Sequence, residues 1–293
     1  MAALLARAAI IRRLHASRAR HFSTRENFST RERATCLGAG VLGGCLGGLV
    51  GLGGGAVMVP VIASWTRLSQ HAAVGTSSAA VAATGVSGCA SFGSAGDVDL
   101  VAAGTIAATA MVGARIGAKL TAHVNGVQLA RAFAVFQLCV APMVPLKAKM
   151  LKHLDANDPP PTDDAPPPAR TLRQAATLGG VGLLAGVAGG LFGIGGGVIV
   201  TPALCLATDL PHAAVLGTTL ASMIAPSLVS LGTHARLGNV LVAAVLPLCA
   251  GSAVGAFAGG QLALVAPEEP LQVLFAVVIG LMGAQKLWAL RGR

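Results

Sequence analysis

Charge is scarce in this sequence. Of its 293 residues only 11% are Asp, Glu, Lys or Arg, 54% are hydrophobic, and the mean hydropathy is +0.73. A soluble domain carries about 25% charged residues, so water is excluded as the main solvent. Stretches 34–66, 71–95, 174–208 and 239–265 hold almost no charge, and each reaches the roughly 20 apolar residues a membrane span requires. Tyrosine is absent, aromatics make up 3%, and there are 39 glycines. Helices lined with such small residues approach backbone to backbone, which favours a compact bundle in lipid. CxxC pairs and histidines at metal-ligand spacing are also missing. The six cysteines (Cys36, Cys45, Cys89, Cys139, Cys205, Cys249) lie in or beside apolar segments and read as buried thiols. No metal site, cofactor or catalytic set is expected. Ser91-Phe92-Gly93-Ser94 offers a nucleophile, but no His marks a dyad and no HExxH motif lies in a span.

The formal charge of +10 does not imply a nucleic-acid partner. Residues 1–33 hold eight arginines against Glu26 and Glu32, which accounts for most of it. Residues 1–25 are Arg-rich, contain Ser and lack acids, the composition of an organellar transit peptide. A basic tail beside the first span is the other reading. Arg20-His21-Phe22-Ser23 resembles the arginine-anchored cleavage pattern of mitochondrial presequences, so the mitochondrial inner membrane is the expected location, with plastid, plasma or other endomembranes as alternatives.

Eight spans are expected, near 36–66, 71–92, 99–123, 127–147, 175–208, 212–234, 239–262 and 270–288. That count puts both termini and the central linker on one side, where most Lys and Arg then gather, as expected for the matrix or cytosolic face. The linker, 152–170, is acidic and Pro-rich, which favours extended, solvated chain. It separates two membrane segments, 34–151 and 171–293.

Those segments repeat one another. At an offset of 142 residues Gly51, Gly53, Gly54, Gly55 and Pro60 fall on Gly193, Gly195, Gly196, Gly197 and Pro202. His71-Ala-Ala-Val followed by Gly75-Thr76-Ser77 falls on His212-Ala-Ala-Val and Gly217-Thr218-Thr219 after a one-residue slip, and Gly96 falls on Gly238. One register held over most of each half indicates duplication. The fold class is therefore all-α, a polytopic membrane protein of about eight helices in two homologous four-helix repeats, each opening on a Gly-rich broken helix. Four spans per half make the repeats parallel; a re-entrant first segment makes them inverted. The charge count favours the broken helix.

Three glycines in an apolar run cost about 1 kcal/mol each relative to Ala. Irregular backbone at membrane depth is tolerated only where it is buried in protein or lines a cavity. A helix restarting after the glycines points its free N–H groups and positive dipole end into the break, which attracts an anion. Gly53, Gly54, Gly55, Gly195, Gly196 and Gly197, with the hydroxyls of Thr76, Ser77, Thr218 and Thr219, would frame one midplane site for a small oxyanion. Close helix packing is the alternative for the glycines, and back-bonding to the preceding turn the alternative for the hydroxyls. His71 and His212 open helices near the interface or couple protons. Arg115 and Lys119 lie four apart on the third span, contacting substrate or snorkelling to headgroups.

The two Gly-[Leu/Ile]-Gly-Gly-Gly elements, each followed by Pro, a short loop and His-Ala-x-x…Gly-Thr-[Ser/Thr], resemble the TauE/SafE family of membrane permeases, or sulfite exporters. The resemblance spans about residues 36–150 and 172–290. It implies a small carrier of sulfite, organosulfonates, thiosulfate or related organic acids, with the glycines and hydroxyls above closest to the substrate. A non-transporting membrane assembly factor and an intramembrane enzyme are the competing classes. Partners are thus a small anion and the lipid bilayer; oligomeric state is not legible.

Overall fold

A computed structural model describes residues 28–66, 68–155, 172–208, 210–266 and 268–290. The expected transit sequence and the core of the linker lie outside these residues. All described elements are helical: α1 (Thr30–Val50), α2 (Gly55–Trp65), α3 (Gln70–Gly93), α4 (Leu100–Leu120), a 3-10 turn (Thr121–His123), α5 (Gly126–Asp155), α6 (Leu172–Phe192), α7 (Gly197–Ala207), α8 (His212–Arg236), α9 (Val242–Val265) and α10 (Glu268–Leu290). Five segments, α1, α4 with its 3-10 turn, most of α6, α8 and α9, are long and apolar enough to cross a bilayer. The protein is a multi-pass integral membrane protein.

Each half thus contains five helices, because the glycine break does more than interrupt a span. A Cβ on Gly47 would strike Gly53 and Gly54, and one on Gly43 would strike Met58. Helix α2 therefore runs back along α1. In the second half Gly189 abuts Gly195 and Gly196, and Gly196 abuts Ala185, so α7 runs back along α6. The expected broken helix is a hairpin in both halves. Left-handed backbone makes the reversal: φ is 71°, 77° and 70° at Gly51, Gly53 and Gly54, and 70°, 83° and 81° at Gly193, Gly195 and Gly196. L side chains adopt this conformation only at a cost of roughly 1–2 kcal/mol.

The fold-back changes the parity, and the helix directions follow it. Helix α3 lies antiparallel to α8: Gly75 meets His234, Gly85 meets Leu220 and Ile224, and Gly217 meets Phe92. Helix α5 is likewise antiparallel to α10, with Arg131 Nη2 donating to Leu290 O (3.3 Å) while Gly280 meets Ala141. Between halves, α1 runs parallel to α9 and α4 parallel to α6. Glycines 40, 44 and 48 interleave with 251, 255 and 259 in the first pair, and 113 and 117 interleave with 182, 186 and 190 in the second. Close backbone packing of this kind substitutes for a hydrophobic driving force in lipid. The halves therefore point in opposite directions, and the ends joined by the linker lie on the face opposite the start of α1. The expectation that termini and linker share a side is overturned. Composition could not reveal it, because a run such as 34–66 is equally apolar whether the helix continues or reverses.

Candidate functional site

The tips of the two hairpins overlap at the centre of the bundle. Gly55 packs on the backbone of Gly193 and Ile194, and Gly197 packs on Gly51 and Leu52. The N-termini of α2 and α7 are thus brought together. The first N–H groups of a helix have no intrahelical acceptor, and each such end carries about half a positive charge. Two of them converge here in an apolar surround.

Polar side chains secure the tips. Ser77 Oγ lies within donating distance of both Val74 O (2.9 Å), one turn earlier, and Gly193 O (3.0 Å), and Thr201 Oγ1 donates to Gly51 O (3.2 Å) while lying 3.4 Å from Thr219 Oγ1. These carbonyls end α6 and α1, where no later turn supplies a donor. Thr76 and Thr218 perform matching tasks. Thr76 Oγ1 accepts from Leu241 N (3.0 Å), the N-cap residue of α9, and Thr218 Oγ1 accepts from Asp99 N (2.9 Å), the N-cap residue of α4. All four hydroxyl residues expected near a ligand are fully buried; Thr76, Ser77 and Thr218 engage the opposite half, whereas Thr219 meets Thr201 of its own half.

The six glycines of the breaks meet at the junction or seat against their own hairpin arms. His71 stands apart, its Nε2 within 3.1 Å of Thr121 O and 3.0 Å of Val124 O, where it closes the end of α4. His212 opens α8. Arg115 and Lys119 lie exposed on the outer surface of α4 and are not brought to the junction. Ser91 Oγ accepts from Gln261 Nε2 (3.0 Å) and lies 3.4 Å from Phe257 O, tying α3 to α9.

Sequence reasoning missed the residues that fill the junction. Val81 and Met223, 0% and 1% exposed, occupy corresponding places on α3 and α8. Val81 touches Gly53, Gly55 and Gly195; Met223 touches Gly53, Gly195 and Gly197. Apolar residues within an apolar run give no pattern to find them by. Also missed was a small cavity of ≈ 10 Å³, about the room of one water, lined by Gly195 with Ser78, Ser227 and Ser230 among others. Ser78 Oγ and Ser230 Oγ are 3.1 Å apart, whereas Ser227 Oγ, on a residue 3% exposed, has no partner among the described residues. The signal was available: Ser227, Ser230 and His234 fall at i, i+3 and i+7 on α8, one polar stripe.

The family model of the sulfite exporter TauE/SafE matches residues 1–143 and 178–293. A probable membrane transporter protein of Bacillus subtilis, YunE, is 27% identical over 259 residues, which is 85% of this chain and 95% of that protein. A probable membrane transporter protein of Xylella fastidiosa is 25% identical over 255 residues, 86% of this chain and 94% of its own. No solved structure matches the chain. With both hairpin-bearing halves inside the match, the chain belongs to the TauE/SafE sulfite exporter family of membrane transporters.

Proposed function

We propose that this protein is a secondary transporter of a small anion, within the range of sulfite, organosulfonates, thiosulfate and related organic acids. The observation that carries the reading is the convergence of two helix N-termini, α2 and α7, at a buried junction between oppositely directed halves. In a low-dielectric interior two positive ends repel, and an anion between them relieves the repulsion. The break glycines would present backbone N–H groups to it, since no Cβ stands in the way. Ser77, Thr76, Thr218 and Thr219 support this arrangement from behind by fixing the hairpin tips and neighbouring helix starts.

Transport requires the junction to open alternately to each side. Oppositely directed halves suit that requirement, because an opening on one face has its counterpart on the other. Val81 and Met223 close the centre in the present conformation, and substrate entry would displace them. The Arg-rich leader supports an organellar location, in the mitochondrial inner membrane; import of the tagged chain into isolated mitochondria and sequencing of the mature N-terminus tests it. For transport itself the test is flux in proteoliposomes. Gradient-driven movement of at least one of sulfite, an alkanesulfonate, thiosulfate or a small carboxylate is expected, and no movement of any under either gradient direction would reject the reading.

A further inference from the structure

Resting on the transport reading, we propose that the carried species is a monoanion, bound off the pseudo-symmetry axis by Gly195 and the hydroxyls of Ser78, Ser227 and Ser230. The first argument is charge. Two helix N-termini together present about one positive charge, and among the described residues no cationic side chain at the junction adds to it. No cationic side chain lines the adjoining cavity, whose polar side chains are Ser78, Ser227 and Ser230. Arg115 and Lys119 are exposed elsewhere. His234, one turn beyond Ser230, donates from Nε2 to Gly190 O (2.9 Å) and does not line the cavity. A second negative charge would sit unbalanced in a medium where desolvating an ion costs several kcal/mol.

The second argument is an unmet hydrogen bond. A buried hydroxyl normally has a partner. Ser227 Oγ has none among the described residues, yet it lines the cavity beside the break together with a second hydroxyl pair 3.1 Å apart. The first half offers no equivalent. The residues one repeat earlier than Ser227 and Ser230 are Gly85 and Gly88, and the residue one repeat after Ser78 is Leu220. The serine-lined cavity therefore stands on one side of the junction only, and that side selects the ligand. At ≈ 10 Å³ the cavity is closed down, so binding includes retreat of Met223, which touches Gly195 on its other side.

The test is flux of methanesulfonate, a permanent monoanion, and thiosulfate, a permanent dianion, in proteoliposomes containing the full chain at a fixed gradient. Sulfite is added across the pH range in which it passes from hydrogensulfite to the dianion, with methanesulfonate at each pH as the control for the protein. Methanesulfonate should move, thiosulfate should not compete with it, and sulfite flux should fall with rising pH relative to the control. Equal flux or competition by thiosulfate would overturn the monoanion assignment while leaving transport standing; absence of all flux overturns both. Ser227→Ala separates the subsite from folding. It removes a hydroxyl that has no partner among the described residues, so stability should hold while KM for methanesulfonate rises about tenfold, the loss of one hydrogen bond to a charged group. Unchanged KM in Ser227→Ala would overturn the subsite.

Discussion

At the scale of single residues, the polar side chains of this protein mostly repair the backbone, and their effects are separable from transport. Pro60 lies inside α2 and lacks an N–H, which orphans the carbonyl four residues earlier, that of Ala56. Gln137 of α5 supplies the donor, with Nε2 2.8 Å from Ala56 O. Gln137→Leu should therefore lower stability by about 1–3 kcal/mol, the usual cost of an unpaired buried group. Thermal unfolding in detergent reads it. In a Pro60→Ala background the backbone N–H returns, and the same substitution should cost less; an equal cost in both backgrounds would show that Gln137 acts otherwise. Thr218→Val tests the paired ties. It removes the acceptor for Asp99 N and should destabilise by about 1–2 kcal/mol, and Thr76→Val should do the same at Leu241 N. A substrate-binding role alone would change KM and leave unfolding untouched.

At the scale of elements, the hairpin divides the glycines into those that must be glycine and those that need not be. Gly54 has φ 70° and a Cβ there would strike the Gly43 carbonyl, whereas Gly96 has φ 82° with open space around it. Gly96→Ala should carry only the left-handed penalty of roughly 1–2 kcal/mol. Gly54→Ala should add a backbone collision and yield little folded protein, as should Gly196→Ala against Ala185. Comparable yields from Gly54→Ala and Gly96→Ala, measured by fluorescence size-exclusion of tagged chains, would sink the hairpin geometry. The sequence carried this element only in part. Periodic glycines and the offset of 142 residues between Gly51 and Gly193 announce the break and its recurrence. Direction is a different matter, since hydropathy reports burial and not heading. The overlooked clue was a double glycine stripe on α1: Gly40, Gly44 and Gly48 face α9, while Gly43 and Gly47 face α2. Two stripes at i, i+4 spacing require two close neighbours, and a helix continuing straight through the break supplies only one of them. The cavity serines were visible as letters. Their convergence was not, because Ser78 and Ser230 are 152 positions apart and meet only once α3 and α8 run antiparallel.

At the scale of the whole molecule, reversal at the breaks redistributes the charges that set orientation. The face holding the start of α1 now gathers Arg31, Arg33, Lys119, Arg131, Arg236 and Lys286, on the ends of α1, α4, α5, α8 and α10. The opposite face has Lys147, Lys149 and Lys152 at the end of α5 and Arg173 at the start of α6. Acidic residues contribute little to the positive-inside bias, so the margin is small where the eight-span count made it large. Charge therefore ceases to decide the arrangement and packing decides it: α3 against α8 and α5 against α10 admit only opposite headings for the two halves. An epitope inserted after Pro160 and another after Arg293 should accordingly be labelled from opposite sides of a sealed membrane. Eight simple crossings would place both on the same side. The outcome also bears on mechanism, because rocking between outward and inward states by exchange of two equivalent conformations is available only to halves that face opposite ways. Same-side labelling would remove that route and, with it, the reason for two helix N-termini to meet head to head at the centre.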